Sequence, residues 1–239
     1  MKKGLRNIKF LILIPARSGS KGIKNKNIIK VGGKPLIEYT ITFANSLKLD
    51  TEVVVSTDSK KIANISKKAG ASCPTLRPKK ISSDLIGDMP VVRHALIERE
   101  KSSLKRFDYV IMLQPTSPIR FKNQIYKAIS HISQNNFDSL ISISLVDKKY
   151  HPYKQFGVIS NKIQPFSEKS IKIVARQQLS NSYIRNGVVY IFSRSFALNS
   201  TSVYSSNSGY IIINEPFVNI DSQEDLLEFE KYLKSKNEL

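Results

Sequence analysis

A single cysteine, Cys73, in a chain of 239 residues leaves no room for an internal disulfide. That fits a reducing compartment. Long apolar runs are missing as well. The stretch over residues 10–14 falls far short of the roughly 20 residues that a membrane helix needs, so the expected location is cytoplasmic. The basic start, residues 1–9, imitates a secretory leader, but Arg17 follows the short apolar run and no small-residue cleavage site does. Histidine is scarce: His94, His131 and His151 share no ligand spacing, and none is expected to hold a metal. Glycine and proline, ten of each, stand at ordinary levels, which excludes fibrous and low-complexity classes. Acidic residues are the largest deficit, 19 against 38 Lys plus Arg, for a net charge of +19.

What is present is enough apolar material, 41% of residues, to build a core. The charge is unevenly spread. Ten cations, from Lys2 to Lys34, precede the first acid, Glu38. A local excess of this kind fits a small polyanion held at one place, such as a nucleoside triphosphate. No basic run is interleaved with aromatics, which argues against a nucleic acid as partner.

Periodicity alternates strands with helices. Residues 8–14 form a continuous apolar run, the pattern of a strand buried on both faces. Further strands are expected over 52–56, 109–113, 139–146, 187–192 and 210–213, with a short one over 73–76. Helices are expected over 36–44, 59–69, 88–101 and 124–134. A last helix starts at Ser222, where Asp225 completes a capping box, and Leu226, Leu227, Phe229, Tyr232 and Leu233 form its apolar side. The order predicts an α/β fold: a mainly parallel, Rossmann-like sheet with helices on both faces. The pattern breaks at about residues 147–183, where a hairpin over 154–166 turns at Asn161 and a polar stretch follows. One domain over residues 1–239, carrying this segment as an inserted arm, is the simplest organisation.

The chemistry concentrates in Ile14-Pro-Ala-Arg-Ser-Gly-Ser-Lys-Gly-Ile-Lys-Asn-Lys-Asn27, just past the first buried strand, where α/β sheets place ligands. It is neither a Walker P-loop nor the dinucleotide glycine motif. It still carries what an anion requires. Gly19 and Gly22 allow backbone N–H groups to face a phosphate, Ser18 and Ser20 offer hydroxyls, and Arg17 offers a forked guanidinium.

This segment resembles the signature of the CMP-sugar synthetases, nucleotidyltransferases that activate sialic acid and related nonulosonic acids. Further stretches are similar in order: Val55-Ser-Thr-Asp58, Leu76-Arg-Pro78 with Ser83-Asp84, Leu113-Gln-Pro-Thr-Ser-Pro-Ile-Arg120, Arg176-Gln-Gln-Leu179, Asn186-Gly-Val-Val-Tyr190 and Asn219-Ile-Asp-Ser222. The resemblance implies the nucleotide-diphospho-sugar transferase fold and a reaction in which CTP and a nonulosonic acid, N-acetylneuraminate or a close relative, give a CMP-sugar and pyrophosphate. Legionaminate, pseudaminate or a shorter keto-deoxy sugar is the alternative.

It also implies roles. Arg17, Ser20 and Lys21 would bind the CTP phosphates, with Lys26 and Asn27 closing the loop, and Arg77 would help to read the cytosine. Gln114 would touch the sugar. Asp221, expected at the end of a strand, would hold Mg²⁺ or Mn²⁺, and Arg17, Lys21 and Asp221 would form the catalytic set. Lys154 and Arg176, on an arm that crosses to the second subunit of a homodimer, would bind the carboxylate of the acidic nine-carbon sugar beside Tyr190. Asn219 stands where the family usually has a second Asp, so one carboxylate of the expected pair is missing. Arg120 ends its segment where it could cap the next helix.

Overall fold

The computed structural model describes residues 8–19 and 22–236. In chain order it holds β1 (Phe10–Pro15), a two-residue ribbon of β2 (Lys30–Val31) and β3 (Lys34–Pro35), α1 (Leu36–Asn45), β4 (Thr51–Ser56), α2 (Lys60–Lys68), α3 (Asp88–Ser103), β5 (Tyr109–Met112), α4 (Lys122–Asn135), β6 (Ser139–Leu145), β7 (Phe156–Ile159), β8 (Lys162–Pro165), β9 (Tyr183–Ser193), α5 (Arg194–Asn199), β10 (Ser208–Ile212) and α6 (Gln223–Ser235).

Six strands form one sheet in the order β10-β6-β9-β5-β1-β4. Pairing is parallel for β1 with β4 and β5, and for β10 with β6; β9 runs antiparallel to both of its neighbours. The sheet is therefore mainly parallel. Strand β1, paired on both sides, shows why a continuous apolar run was required. Phe10, Ile12 and Ile14 pack with Ile37 and Ile41 of α1 and Ile125 and Ile129 of α4. Leu11 and Leu13 point the other way, onto Met89, Val92 and Leu96 of α3 and Ala197 of α5. Alternate residues of one strand thus serve two cores, as the two-residue repeat of a strand demands. Each buried Leu or Ile contributes on the order of 1.5–3 kcal/mol.

Because β6 and β9 are adjacent and antiparallel, the chain between them is the connection of a β-hairpin, widened to carry β7 and β8. That inner hairpin turns at Ser160 and Asn161, both with positive φ (50° and 61°). Two successive left-handed residues make the tight turn that matches strand twist.

A third apolar cluster lies beside the loop after β1. Ile23, Val31, Leu36 and Ile220 meet Leu226, Phe229 and Leu233 of α6. The capping box forms as expected: Asp225 N–H donates to Ser222 Oγ, and Asp225 Oδ2 accepts the Ser222 and Asp221 N–H groups at 2.8 Å.

Three expectations need correction. Residues 73–76 are not a strand. One bridge, Val54 with Ser72, stands in their place, and Pro74 has no N–H with which to extend it. Leu227 is exposed, because the i, i+3, i+7 spacing of Leu226, Phe229 and Leu233 uses a narrower stripe of α6. Asp221 does not end a strand. β10 stops at Ile212, and the approach to Asp221 is irregular, tied through Ile220 N–H to Thr116 O at 2.7 Å.

Candidate active site

A cavity of about 530 Å³ opens where β1, β4 and β5 end. It gathers Arg17, Lys26, Asn27, Arg77, Gln114 and Asp221, six of the expected site residues, from four separate stretches of chain. Ser20 and Lys21 lie outside the described residues.

The loop after β1 is pinned at three points. Ser18 donates its N–H and its hydroxyl to Asp58, at 2.8 and 2.7 Å. Partial burial alone would push the Asp58 carboxyl up, but the two Ser18 hydrogen bonds outweigh it and hold the group below its ordinary value. A lowered carboxylate pKa contributes its stability above the unfolded value and loses it as pH falls, so this anchor holds at neutral pH. Asn27 is buried and donates Nδ2–H to Arg17 O at 2.9 Å. Lys26 donates to Ile220 O at 2.9 Å and pairs with Asp221 Oδ1 at 2.8 Å. Arg17 crosses the cavity mouth to form an ion pair with Asp84.

Gly22 shows how tightly the loop and the Asp221 turn approach. A Cβ on Gly22 would lie 2.7 Å from the Asp221 carbonyl oxygen. Gly22→Ala should therefore push the two apart and weaken CTP binding about tenfold, roughly 1.4 kcal/mol. Isothermal titration checks this, and unchanged affinity would show that the contact is not needed.

Arg77 also lines the cavity. Its backbone N–H donates to Thr57 O at 2.8 Å. Its side chain is 6% exposed, and Nε and Nη2 have no partner. Burial pushes the guanidinium down, while the nearby carboxylates of Asp58 and Asp88 push it back up.

Gln114 follows β5. Its carbonyl accepts Ser117 N–H at 3.1 Å and Arg120 Nη2–H at 2.5 Å. Gly187, with φ +73°, lets β9 pass against Gln114: a Cβ there would lie 2.7 Å from Gln114 Oε1 and 2.6 Å from Ser117 Oγ. Arg120 is no helix cap. It turns inward and is buried, whereas the backbone N–H of Phe121, ahead of α4, bonds Gln124 Oε1 at 3.1 Å.

Three expected sugar residues stand apart from the cavity. Lys154 is exposed, and Arg176 is exposed and lies 3.8 Å from Asp147. Tyr190 is a core residue, its ring stacked on Phe192 at 6.4 Å, and burial pushes its hydroxyl up while Arg185 and Asp88 pull in opposite directions. An inward-facing strand position and a sugar-facing one share the same sequence pattern.

Among the described residues no group of three or more His, Cys, Asp or Glu side chains could hold a metal. Asp221 offers one largely exposed carboxylate; Lys26 occupies Oδ1, and Asn219 Nδ2 donates to Oδ2 at 3.0 Å. Asn219 in turn accepts from Ser117 at 3.4 Å. This set does not fit a ready-made protein cage. It does fit Mg²⁺ arriving on a triphosphate, since that ion commonly takes one or two carboxylates and fills its shell with phosphate oxygens and water.

Asp58, Asp84 and Asp88 were not assigned roles from sequence. The first two were visible as residues following a strand and an Arg-Pro pair. Asp88 gave only the signal of an acid in a first helical turn.

Comparison with known proteins agrees with this geometry. The profile described as Cytidylyltransferase matches residues 11–237. Post-translational flagellin modification protein B of Campylobacter coli is 36% identical over 230 residues, covering 95% of this chain and 96% of that protein. CMP-N,N'-diacetyllegionaminic acid synthase of Campylobacter jejuni is 33% identical over 229 residues, covering 95% and 96%. Among solved structures, a CMP:2-keto-3-deoxy-manno-octonic acid synthetase complexed with CTP superposes with a TM-score of 0.69, at 16% identity and over 95% of this chain and 99% of that one. At that identity it speaks to the fold.

Proposed function

Since this chain belongs to the cytidylyltransferase family, we propose that it transfers CMP from CTP to a nonulosonic acid, releasing pyrophosphate. The carrying observation is the cavity itself, which gathers the cations Arg17 and Lys26, the unpartnered donors of Arg77, and Gln114 and Asp221 on one lining. Cations meet phosphates and a buried donor meets a base carbonyl. The similarity to the legionaminic acid synthase favours an N,N'-diacetyllegionaminate-type sugar over N-acetylneuraminate.

The reaction is an in-line displacement. The anomeric hydroxyl of the sugar attacks the α-phosphorus and gives up its proton to solvent water, the bond to the bridging oxygen breaks, and pyrophosphate leaves with its electron pair. The protein positions and neutralises. Arg17 must release Asp84 to reach the phosphates. Lys26 can swing from Asp221 to a phosphate oxygen, which frees the carboxylate for a cation carried by CTP. Mg²⁺ bound at Asp221 would supply charge neutralisation on the triphosphate. Gln114 is fixed at its backbone by Ser117 and Arg120, and its amide is the group it would offer to the sugar.

The arm calls for a second copy of the chain. Val158, Ile163, Phe166, Ile171 and Val174 are each at least 70% exposed, more apolar surface than a free-standing hairpin keeps in water. A homodimer would cover it and bring Lys154 and Arg176 to the partner's cavity. Light scattering should give twice the 27.0 kDa chain mass; a 27.0 kDa particle at micromolar protein rejects the dimer. The activity is tested by pyrophosphate release with CTP, UTP and ATP against N,N'-diacetyllegionaminate, pseudaminate and N-acetylneuraminate. No release with any pair overturns the assignment.

A further inference from the structure

A second cavity, of about 250 Å³, lies beside α2 and shares no lining residue with the one described above. It exists because residues 73–76 do not continue the sheet. Ser72 is tied to β4 by two hydrogen bonds of 2.8 Å, from Val55 N–H to Ser72 O and from Ser72 N–H to Val53 O. The ladder stops there, and the segment over 73–76 forms one wall of a gap whose other wall is α2. Lys60, Asn64 and Lys67 stand at i, i+4 and i+7 of that helix, so one exposed face brings all three to the opening. Cys73, Thr75 and Leu76 line the opposite side.

The charge at this place is of one sign. From Ser59 to Ser83 the chain holds seven cations and no acid. Among the described residues neither Lys60 nor Lys67 forms an ion pair, so both ammonium groups are free for an incoming anion. We propose that the cavity is a second anion site, in which Lys60 and Lys67 hold a compact phosphate-bearing molecule while Asn64 and Thr75 donate to its oxygens. Lysine serves phosphate as a point charge, and an amide and a hydroxyl add the directed donors that fix its orientation. The volume falls below the roughly 300–1,000 Å³ of sites for drug-sized ligands. A nucleoside triphosphate is therefore too large, whereas inorganic pyrophosphate or a small phosphate ester fits.

Two further observations bear on the site. Burial pushes the Cys73 thiol up, and the charge of Lys67 opposes that push, which sets this ammonium close to the cavity wall. The two cavities are also neighbours along the chain, since Leu76 lines one and Arg77 the other. A test must therefore tell an anion bound beside α2 from one bound at Arg17 and Lys26.

Equilibrium dialysis with radiolabelled pyrophosphate, in saturating CTP to fill the other cavity, is the first test. The wild type should still bind pyrophosphate, and a chain carrying both Lys60→Ala and Lys67→Ala should bind it about 10–100-fold more weakly, because charge-assisted hydrogen bonds are lost. An unchanged urea midpoint marks that variant as folded. A parallel series with glycerol 3-phosphate separates a phosphate ester from the inorganic anion, and binding of either probe that depends on the two lysines supports the site. Cys73 is the only thiol of the chain, so its alkylation by iodoacetamide, a neutral reagent, locates the bound anion. Pyrophosphate at ten times its Kd should slow labelling of the wild type about tenfold, the factor 1 + [L]/Kd. Arg17→Ala should keep this protection, and the double lysine variant should lose it. Absence of binding beside saturating CTP, equal binding by the folded double variant, or protection that disappears with Arg17→Ala overturns the proposal.

Discussion

Arg120→Ala should cost about 3–5 kcal/mol of folding stability, the largest loss expected from a single substitution outside the apolar core. Arg120 donates Nε–H to Val188 O at 2.7 Å, Nη1–H to Thr40 Oγ1 at 3.1 Å, and Nη2–H to Gln114 O and Gly187 O at 2.5 and 3.4 Å. None of these partners is a carboxylate. Burial pushes its guanidinium down to about 9, so it still carries its charge at neutral pH. Carbonyl dipoles from two segments, with the Thr40 hydroxyl from a third, take the place of a counter-ion. Removing the side chain takes a donor from the buried Val188 O, Gly187 O and Thr40 Oγ1, while Gln114 O keeps Ser117 N–H; each lost bond is worth roughly 1–3 kcal/mol where water cannot replace the donor. Urea unfolding reads the difference, and a loss below about 1 kcal/mol would mean that water fills the space at little cost.

The same contacts link stability to the site. Arg120 holds the Gln114 carbonyl and the Gly187 carbonyl together, and Gln114 lines the cavity. Arg120→Lys keeps the charge on a single ammonium and cannot span the same acceptors. Its stability should fall between the wild type and Arg120→Ala.

Arg120 also marks a boundary of what could be read from residues alone. An arginine at the end of Pro115–Arg120 looks like a surface residue or a helix cap until the opposing strand is known to present only carbonyls. Burial and partner, not residue type, decide its role. Other features were legible because their physics is local. The run at residues 8–14 is apolar at every position because two cores use it. The Ser222–Asp225 box and the turn at Asn161 are short-range geometries fixed by the residues that form them. Strand direction is different. Periodicity marks residues 187–192 as a strand, yet cannot show that β9 runs against its neighbours, which follows from the widened hairpin joining it to β6. The stretch over residues 73–76 failed for a related reason: a short apolar run carries no information on whether a ladder partner lies within reach.

The positions of Lys154 and Arg176, outside the cavity of their own chain, set up the second large effect. Arg17→Ala should lower kcat/KM about 10²–10³-fold, as removal of one well-placed donor to a reacting phosphate does. Arg176→Ala should lower it about 10–100-fold through the sugar KM, with CTP binding preserved, because one charge-assisted hydrogen bond to a carboxylate is lost. If each site joins the loop of one chain to the arm of the other, placing both changes in one dimer has two distinct outcomes. Pairing an Arg17→Ala chain with an Arg176→Ala chain puts both defects in one site and leaves the other intact, so a tandem-tagged heterodimer should keep about half of wild-type activity. Pairing a wild-type chain with a doubly substituted chain gives each site one defect, and this heterodimer should be nearly inactive. A site built wholly within one chain exchanges these results, the first dimer failing and the second keeping about half, because intact loop and intact arm then occur together only in the wild-type chain.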